Sequence, residues 1–385
     1  MKLFLIAGEA SGDALGAALM AGLKALAPGV SFEGVGGPLM AAEGLAGLFP
    51  MDDLSVMGLV EILPRYRALK RRLDQTIAAV AATAPDALIT IDSPDFTLRV
   101  ARAARAANPG LRTIHYVAPT VWAWRPGRAA KMAPFIDHVL ALLPFEPPLM
   151  QAAGMSSDFV GHPVVAAPRA DAAAAAAFRE TQMIGPDQPV VLCLPGSRRG
   201  EVMRLAPRFD EALTRLRDRE PGLRVVLPTL APVAGLVRAM TARWRVAPLV
   251  VETPGDRAAA FAAADLALAA SGTVSLELAA ARVPMVIAHD FNWLTWQILR
   301  RAALIDTVTL VNIVSGTRAV PELLGPQCRP GPIARCLIEV MDSDEARAAQ
   351  LAAMEKTMIA LGEGGEDPGL RAARSVLTRI GAAAG

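Results

Sequence analysis

The chain has 385 residues, long enough for two ordinary α/β domains with a core each, and 53% of them are hydrophobic. A net charge of +2 with only 5% aromatics argues against a nucleic-acid-binding protein, and no uninterrupted apolar run of about 18 residues offers a spanning helix. Three cysteines without C-x-x-C spacing and four scattered histidines suit a reducing compartment and show no metal-ligand pattern, so neither a metal nor a cofactor is expected.

The first element is LFLIA, residues 3–7. Glu9 cuts this apolar run short of a secretory signal, so it reads as a buried strand and the protein is expected in the cytoplasm. AGEASGDALGA (7–17) then forms the first strand-to-helix turn, where dinucleotide-binding folds place G-x-G-x-x-G. Here the small residues are spaced differently, and Glu9 and Ser11 sit among them. A carboxylate and a hydroxyl suit sugar hydroxyls better than phosphate, so phosphate is expected to dock elsewhere.

Strands are expected at 3–7, 31–35, 87–92, 112–117, 136–141 and 157–160, then at 189–194, 223–227, 248–251, 265–269, 283–288 and 307–311. They alternate with amphipathic helical stretches, which predicts two parallel, doubly wound sheets. Ligands in such folds bind at the carboxyl ends of the strands, here in a cleft expected between two facing domains. The expected divisions are 1–165, a Pro- and Ala-rich linker at 166–185, 186–362, and a short helix at 363–385. That last helix is expected to pack on the first domain or on a partner subunit.

LVEILPRYRALKRRL (59–73) places Leu59, Val60, Ile62 and Leu63 before Pro64. Arg65, Arg67, Lys70, Arg71 and Arg72 follow, against the single acid Glu61. The pattern fits a membrane-surface patch; a core segment followed by a solvated helix is the alternative. In DALITIDSPDF (86–96) Pro94 stops the strand, so Asp92 stands at a carboxyl end, with Asp95 a candidate cap. Asp92 is either a turn former or a general base that deprotonates an acceptor hydroxyl for in-line attack. HYVAPTVWAWRPGR (115–128) leaves two readings open. Trp122 and Trp124 belong to the core, or they line a wall where Arg125 and Arg128 meet an anionic acceptor.

VVLCLPGSRRGEV (190–202) is a buried strand running into a helix start. Ser197 is expected to cap it, while Arg198 and Arg199 add charge at the positive end of the helix dipole, an anion site. DLALAASGTVSLELA (265–279) repeats the arrangement with Ser271, Gly272 and Thr273. Glu277 follows one turn later, placed to accept both hydroxyls of a ribose. Two such loops together suggest a nucleoside diphosphate. No G-x-x-x-x-G-K-[ST] is present, and the only D-x-D, Asp342–Ser343–Asp344, reads as a helix cap.

Together these stretches resemble the lipid-A-disaccharide synthases, bacterial glycosyltransferases of GT-B architecture. The similar motifs are AGEASGD, VMGLVEILPR, IDSPDF, HYVAPTVWAW, LPFE, GHP, LPGSRRGEV, ASGTVSLE and VNIVSGTRAVPELL, in the family's order from residue 7 to residue 324. The resemblance implies two facing Rossmann-like domains. It also implies transfer from UDP-2,3-diacylglucosamine to 2,3-diacylglucosamine 1-phosphate, an acylated sugar 1-phosphate, giving the β-1,6-linked disaccharide and UDP. No metal takes part in the family's chemistry, and the inner-membrane surface is its place of work. Carried over by motif, Glu9 and Ser11 contact the reacting sugars, Asp92 is the base, Arg198 binds phosphate, and Glu277 and Asn312 belong to the nucleotide-sugar site. One departure stands out: Gly325 occupies the place of a glutamine in the family pattern, with Gln327 two residues on. A homodimer is a further option. Competing readings are another GT-B UDP-GlcNAc transferase or epimerase, or a non-catalytic nucleotide-sugar-binding membrane protein.

Overall fold

Uninterrupted apolar runs suit strands that helices cover on both faces. LFLIA and VVLCL are such runs, and every one of their residues is buried in a strand. The computed structural model describes residues 1–54 and 59–381, without the side chains of residues 59–66, Trp293, Leu294 and Leu299. The chain divides into two compact units, Met1–Ala166 joined by the stretch from Gly364 onward, and Ala167–Glu363.

In the first unit the strands are β1 (Lys2–Ala7), β2 (Ser31–Val35), β3 (Ala46–Gly47), β4 (Ala87–Ile91), β5 (Arg112–Tyr116), β6 (His138–Ala141) and β7 (Ser156–Phe159). Its helices are α1 (Ala10–Leu26), α2 (Pro38–Ala42), α3 (Leu59–Thr83), α4 (Pro94–Ala107), α5 (Arg128–Met132) and α6 (Pro147–Ala152). All its strand pairs are parallel, in the order β3-β2-β1-β4-β5-β6-β7. Side chains alternate across the sheet. Leu3, Leu5 and Ala7 pack on one face with Leu19 and Leu23 of α1, whereas Phe4 and Ile6 pack on the other with Val80 of α3 and Val100 of α4.

The second unit contains α7 (Ala172–Thr181), β8 (Val190–Leu194), α8 (Arg199–Arg219), β9 (Arg224–Pro228), α9 (Ala231–Thr241), β10 (Leu249–Val251), α10 (Pro254–Ala262) and β11 (Leu266–Ala269). It continues through α11 (Val274–Ala280), β12 (Met285–His289), α12 (Trp293–Ala302), α13 (Leu310–Ser315), β13 (Glu322–Leu324), α14 (Pro330–Asp342) and α15 (Asp344–Ala360). Its sheet is also parallel, ordered β10-β9-β8-β11-β12-β13.

The final helix, α16 (Pro368–Ile380), returns to the first unit and packs on α1. A Cβ on Gly22 would lie 2.6 Å from the Gly369 carbonyl oxygen, so this crossing requires glycine. Ser375 of α16 hydrogen-bonds His138 Nε2 at 2.9 Å and donates to Asp158 at 2.7 Å.

One expected strand is absent. Residues 307–311 lead into helix α13, and the edge strand is β13 instead. The Glu322 carboxylate accepts the Thr307 hydroxyl (2.5 Å) and the N–H groups of Val308 (3.1 Å) and Thr309 (2.7 Å). Those donors, which a strand would spend on a neighbour, are satisfied by a side chain at the start of a helix. No helix among the described residues is long and apolar enough to cross a membrane.

Candidate functional site

In each sheet the strand order reverses at one place, between β1 and β4 in the first unit and between β8 and β11 in the second. There the two outgoing helices leave toward opposite faces and open a crevice at the carboxyl edge. The turns singled out in the sequence occupy both places.

In the first unit Ala7 lies opposite Ile91, so the turns after β1 and β4 are neighbours. They touch: a Cβ on Gly8 would come within 2.7 Å of Ser93 Oγ. Glu9 is the half-buried, extended N-cap of α1, and Ser11 is exposed on its first turn. Asp92 and Ser93 both take left-handed conformations, φ 48° and 43°, which short polar side chains tolerate better than others. The Asp92 N–H donates to the Tyr116 carbonyl at 3.0 Å, and Thr97 Oγ1 donates to the Asp92 carbonyl at 2.7 Å. With both backbone groups pinned, the half-buried Asp92 side chain is held at the sheet edge. Asp95 does not cap α4, whose N-cap is Ser93; it is exposed in the first turn, 3.9 Å from Arg128.

Sequence reasoning passed over Asp13. Its buried carboxylate accepts the N–H groups of Gly37 (2.9 Å), Leu39 (3.0 Å) and Met40 (3.0 Å), so it caps α2 from across the turn. Glu146 was also missed. It is 3% exposed and accepts Trp122 Nε1–H at 3.1 Å and the Leu143 N–H at 3.0 Å. Burial pushes its carboxyl up to about 7, against the opposing pull of those donors. Trp122 and Trp124 are half-buried rather than core; Arg125 is exposed and stacks on Trp124 at 4.0 Å. The turn feeding this segment is strained, with Val117 at φ 85°.

Of the basic–apolar segment, the side chains of Leu59, Val60, Ile62, Leu63 and Arg65 lie outside the described residues. Arg67, Lys70 and Arg71 are exposed on α3. Arg72 is not a free charge: it pairs with Asp53 at 2.6 Å and lies over the Phe49 ring.

In the second unit Ala269 lies opposite Leu194, and the Ala270 N–H donates to the Leu194 carbonyl at 2.8 Å. The turns after β8 and β11 are therefore neighbours too. Ser197 does not cap α8. Arg198 is the N-cap, extended and without a side-chain capping bond, and Glu201 fills the space that a side chain on Gly196, at φ 113°, would take. Ser197 and Arg199 are exposed, and Arg198, 59% exposed, lies 3.7 Å from Glu201. Across the crevice Ser271 is half-buried, Gly272 and Thr273 are exposed, and Glu277 is exposed one turn further on.

Asn312 lies on α13. It is fully buried, and its amide is spent on the chain itself. Nδ2 donates to the Val320 carbonyl (2.9 Å) and lies near Thr307 Oγ1 and Glu322 Oε1, while Oδ1 accepts the Val320 N–H at 3.0 Å. It clamps α13 to the approach to β13. Gly325 also finds its explanation here: at φ 53°, its missing Cβ would lie 2.8 Å from the Trp296 indole. That ring fills the space of a side chain. Phe291 stacks on the same indole and contacts His289, an aromatic row after β12 that carries no sequence motif. Among the described residues, no three His, Cys, Asp or Glu side chains form a metal-holding group.

Two parallel doubly wound units, each with paired turns at its switch point, make this a GT-B protein. The fold is similar to that of UDP-GlcNAc 2-epimerase from Neisseria meningitidis, solved bound to UDP-GlcNAc (TM-score 0.64, 11% identity, 99% of both chains). It is likewise similar to a glycosyltransferase from Rickettsia africae (TM-score 0.58, 13% identity, 98% of both chains). At such low identity these likenesses establish the fold alone. The chain belongs to the lipid-A-disaccharide synthetase family, whose model matches residues 3–368. Lipid-A-disaccharide synthase of Ruegeria pomeroyi is 59% identical, covering 99% of this chain and 96% of the relative. That of Rhodospirillum centenum is 48% identical, covering 99% and 95%.

Proposed function

We infer that this chain is an inverting glycosyltransferase that joins UDP-2,3-diacylglucosamine to 2,3-diacylglucosamine 1-phosphate, forming the β-1,6-linked disaccharide 1-phosphate and releasing UDP. The observation that carries this reading is the 59% identity to a lipid-A-disaccharide synthase over nearly the whole of both chains. The epimerases share the fold at 11–14% identity, which gives their activity no comparable support.

In this reading Asp92 takes the proton from the acceptor hydroxyl as its oxygen bonds to the anomeric carbon. The bond from that carbon to the diphosphate breaks on the opposite face, and the electron pair leaves on UDP. Glu9 and Ser11 hold sugar hydroxyls beside it. The negative charge on departing UDP is met by the uncapped start of the 21-residue α8, by Ser197, Arg198 and Arg199, and by the Ser271–Thr273 turn. Glu277 accepts the ribose hydroxyls, and Asn312 holds the backbone near them rather than the ligand. Arg125 and Arg128 face the acceptor phosphate. Exposed Arg67, Lys70 and Arg71 support docking on an anionic inner-membrane surface, where acylated substrates reside.

The test is direct. Purified protein given both acylated sugars, with a metal chelator present, should yield disaccharide and UDP by mass spectrometry. Absence of disaccharide, or epimerised UDP-GlcNAc from a control incubation, overturns the reading.

A further inference from the structure

At the carboxyl edge of the first sheet the turns after β4, β5 and β6 lie side by side, because those three strands are neighbours. The turn after β4 holds Asp92. The segment after β5, residues 117–128, begins and ends on that turn. Tyr116, just before it, accepts the Asp92 N–H at 3.0 Å, and Arg128 lies 3.9 Å from Asp95. The turn after β6 holds Glu146, whose Oε1 accepts Trp122 Nε1–H at 3.1 Å while Oε2 accepts the Leu143 N–H at 3.0 Å. The Phe145 ring meets the Trp122 indole edge-on, with centroids 5.3 Å apart. Trp122 is thereby gripped in the middle of the segment. The N–H groups of Ala123 and Trp124 both bond back to the Thr120 carbonyl, so the turn leading to Arg125 is fixed with it.

A glutamine or a backbone carbonyl accepts an indole N–H without bringing a charge inside. Here the acid is buried, its hydrogen-bond partners among the described residues are neutral N–H groups, and no salt bridge of those residues includes it. Burial therefore works against its charge and holds the carboxyl near 7. Both of its oxygens accept hydrogen bonds, which is the pattern of the ionised form. An ionised acceptor grips an N–H more firmly than a neutral one, at a cost in stability that packing alone does not explain. What the grip secures is the segment that carries Arg125 and Arg128. We propose that Glu146 is a positioning residue for the acceptor: through Trp122 it fixes residues 117–128, so that their arginines meet the acceptor phosphate while the attacking hydroxyl lies at Asp92. The proposal rests on the reading that this unit receives the sugar 1-phosphate. Glu146 acts through the indole and contacts no reacting atom.

The experiment uses the full chain and detergent-dispersed substrates at about pH 8, where the wild-type carboxyl is ionised. Glu146→Gln keeps the shape but turns an amide NH2 toward one of the two N–H groups. Trp122→Phe keeps a ring but removes the donor. Each should raise KM for the 1-phosphate acceptor by roughly threefold to thirtyfold, with KM for the UDP-sugar held within about twofold. The double variant should do no worse than the stronger single one, because both remove the same bond. With an acceptor that lacks the phosphate, kcat/KM of the variants should match wild type, a result that general loosening of the fold would not give. Unchanged acceptor KM in Glu146→Gln overturns the proposal and leaves the glycosyl-transfer reading standing. So does a Trp122→Phe defect that Glu146→Gln does not share, which would make the indole itself the acceptor contact. Equal losses with and without the phosphate also overturn it, leaving Glu146 a support of the fold. A wild type that makes no disaccharide removes the reading beneath the proposal, and the proposal with it. Should Trp122→Phe melt early, the near-isosteric Glu146→Gln still decides the question.

Discussion

Replacing Asn312 by Ala separates a ligand contact from an internal clamp. Among the described residues, the substitution removes the hydrogen-bond partner of both the Val320 N–H and the Val320 carbonyl, and Val320 is 2% exposed. A buried backbone group left unsatisfied costs about 1–3 kcal/mol, so the pair costs roughly 2–6 kcal/mol; water entering the vacated space favours the lower half of that range. For a unit of this size each kcal/mol moves the melting temperature by about 2–4 °C, so a fall of roughly 4–16 °C is expected. Asn312→Asp should do no better. It keeps an acceptor for the Val320 N–H but loses the donors and sets a second carboxylate beside Glu322. The assays are a thermal melt followed by circular dichroism, and UDP titration calorimetry at a temperature where both variants remain folded. UDP affinity should change by less than about fivefold, below what loss of a charge-assisted contact costs. Unchanged melting with strongly weakened UDP binding would refute the clamp and return the amide to the nucleotide.

Asp92→Asn preserves shape and removes the base, so turnover should fall by about 10²–10⁴ while UDP affinity is retained; near-normal turnover would leave Asp92 a turn former only. Arg198→Ala should weaken UDP binding by roughly fivefold to thirtyfold, the lower figure reflecting solvent exposure and the nearby Glu201, and equal affinity would remove Arg198 from the phosphate site. Burial pushes the imidazoles of His115, His138 and His162 down to about 4. Unfolded, they titrate near 6.5, so between these values the unfolded chain binds more protons; urea midpoints should be highest above pH 6.5 and fall toward pH 4, and a flat profile would contradict their burial. Glu146 acts in the opposite sense. Its carboxyl, ordinarily near 4.5, is raised to about 7, so its stabilising contribution is lost as pH rises through that window, and Glu146→Gln should steepen the rise between pH 4.5 and 6.5 that the histidines produce.

Whatever depends on neighbours in the chain was legible from the residues alone. The apolar runs at 3–7 and 190–194 are strands because five successive buried side chains suit a sheet covered on both faces. β4 ends at Ile91, Asp92 and Ser93 turn with φ 48° and 43°, and Pro94 opens α4, which leaves Asp92 at the carboxyl end. The turns AGEASGD, DSPD, PGSRR and SGT stand out by composition, without any knowledge of what lies beside them.

Which turns meet is another matter. Strand order decides it, and strand order is a property of pairings between residues far apart: Ala7 with Ile91, Leu194 with Ala269. The same distance hides the corrections. TVTLV (307–311) reads as a strand until Glu322, 13 residues beyond Thr309, takes up its N–H groups. Asn312 reads as part of the nucleotide-sugar site, and nothing beside it in the chain signals that its amide bonds Val320. Gly325 reads as an unexplained loss until the Trp296 ring occupies the space above it. Side-chain periodicity repeats within a few residues and is carried by the local backbone. Hydrogen-bond partners and occupied volume belong to whatever segment packing brings alongside, and only the folded chain selects that segment.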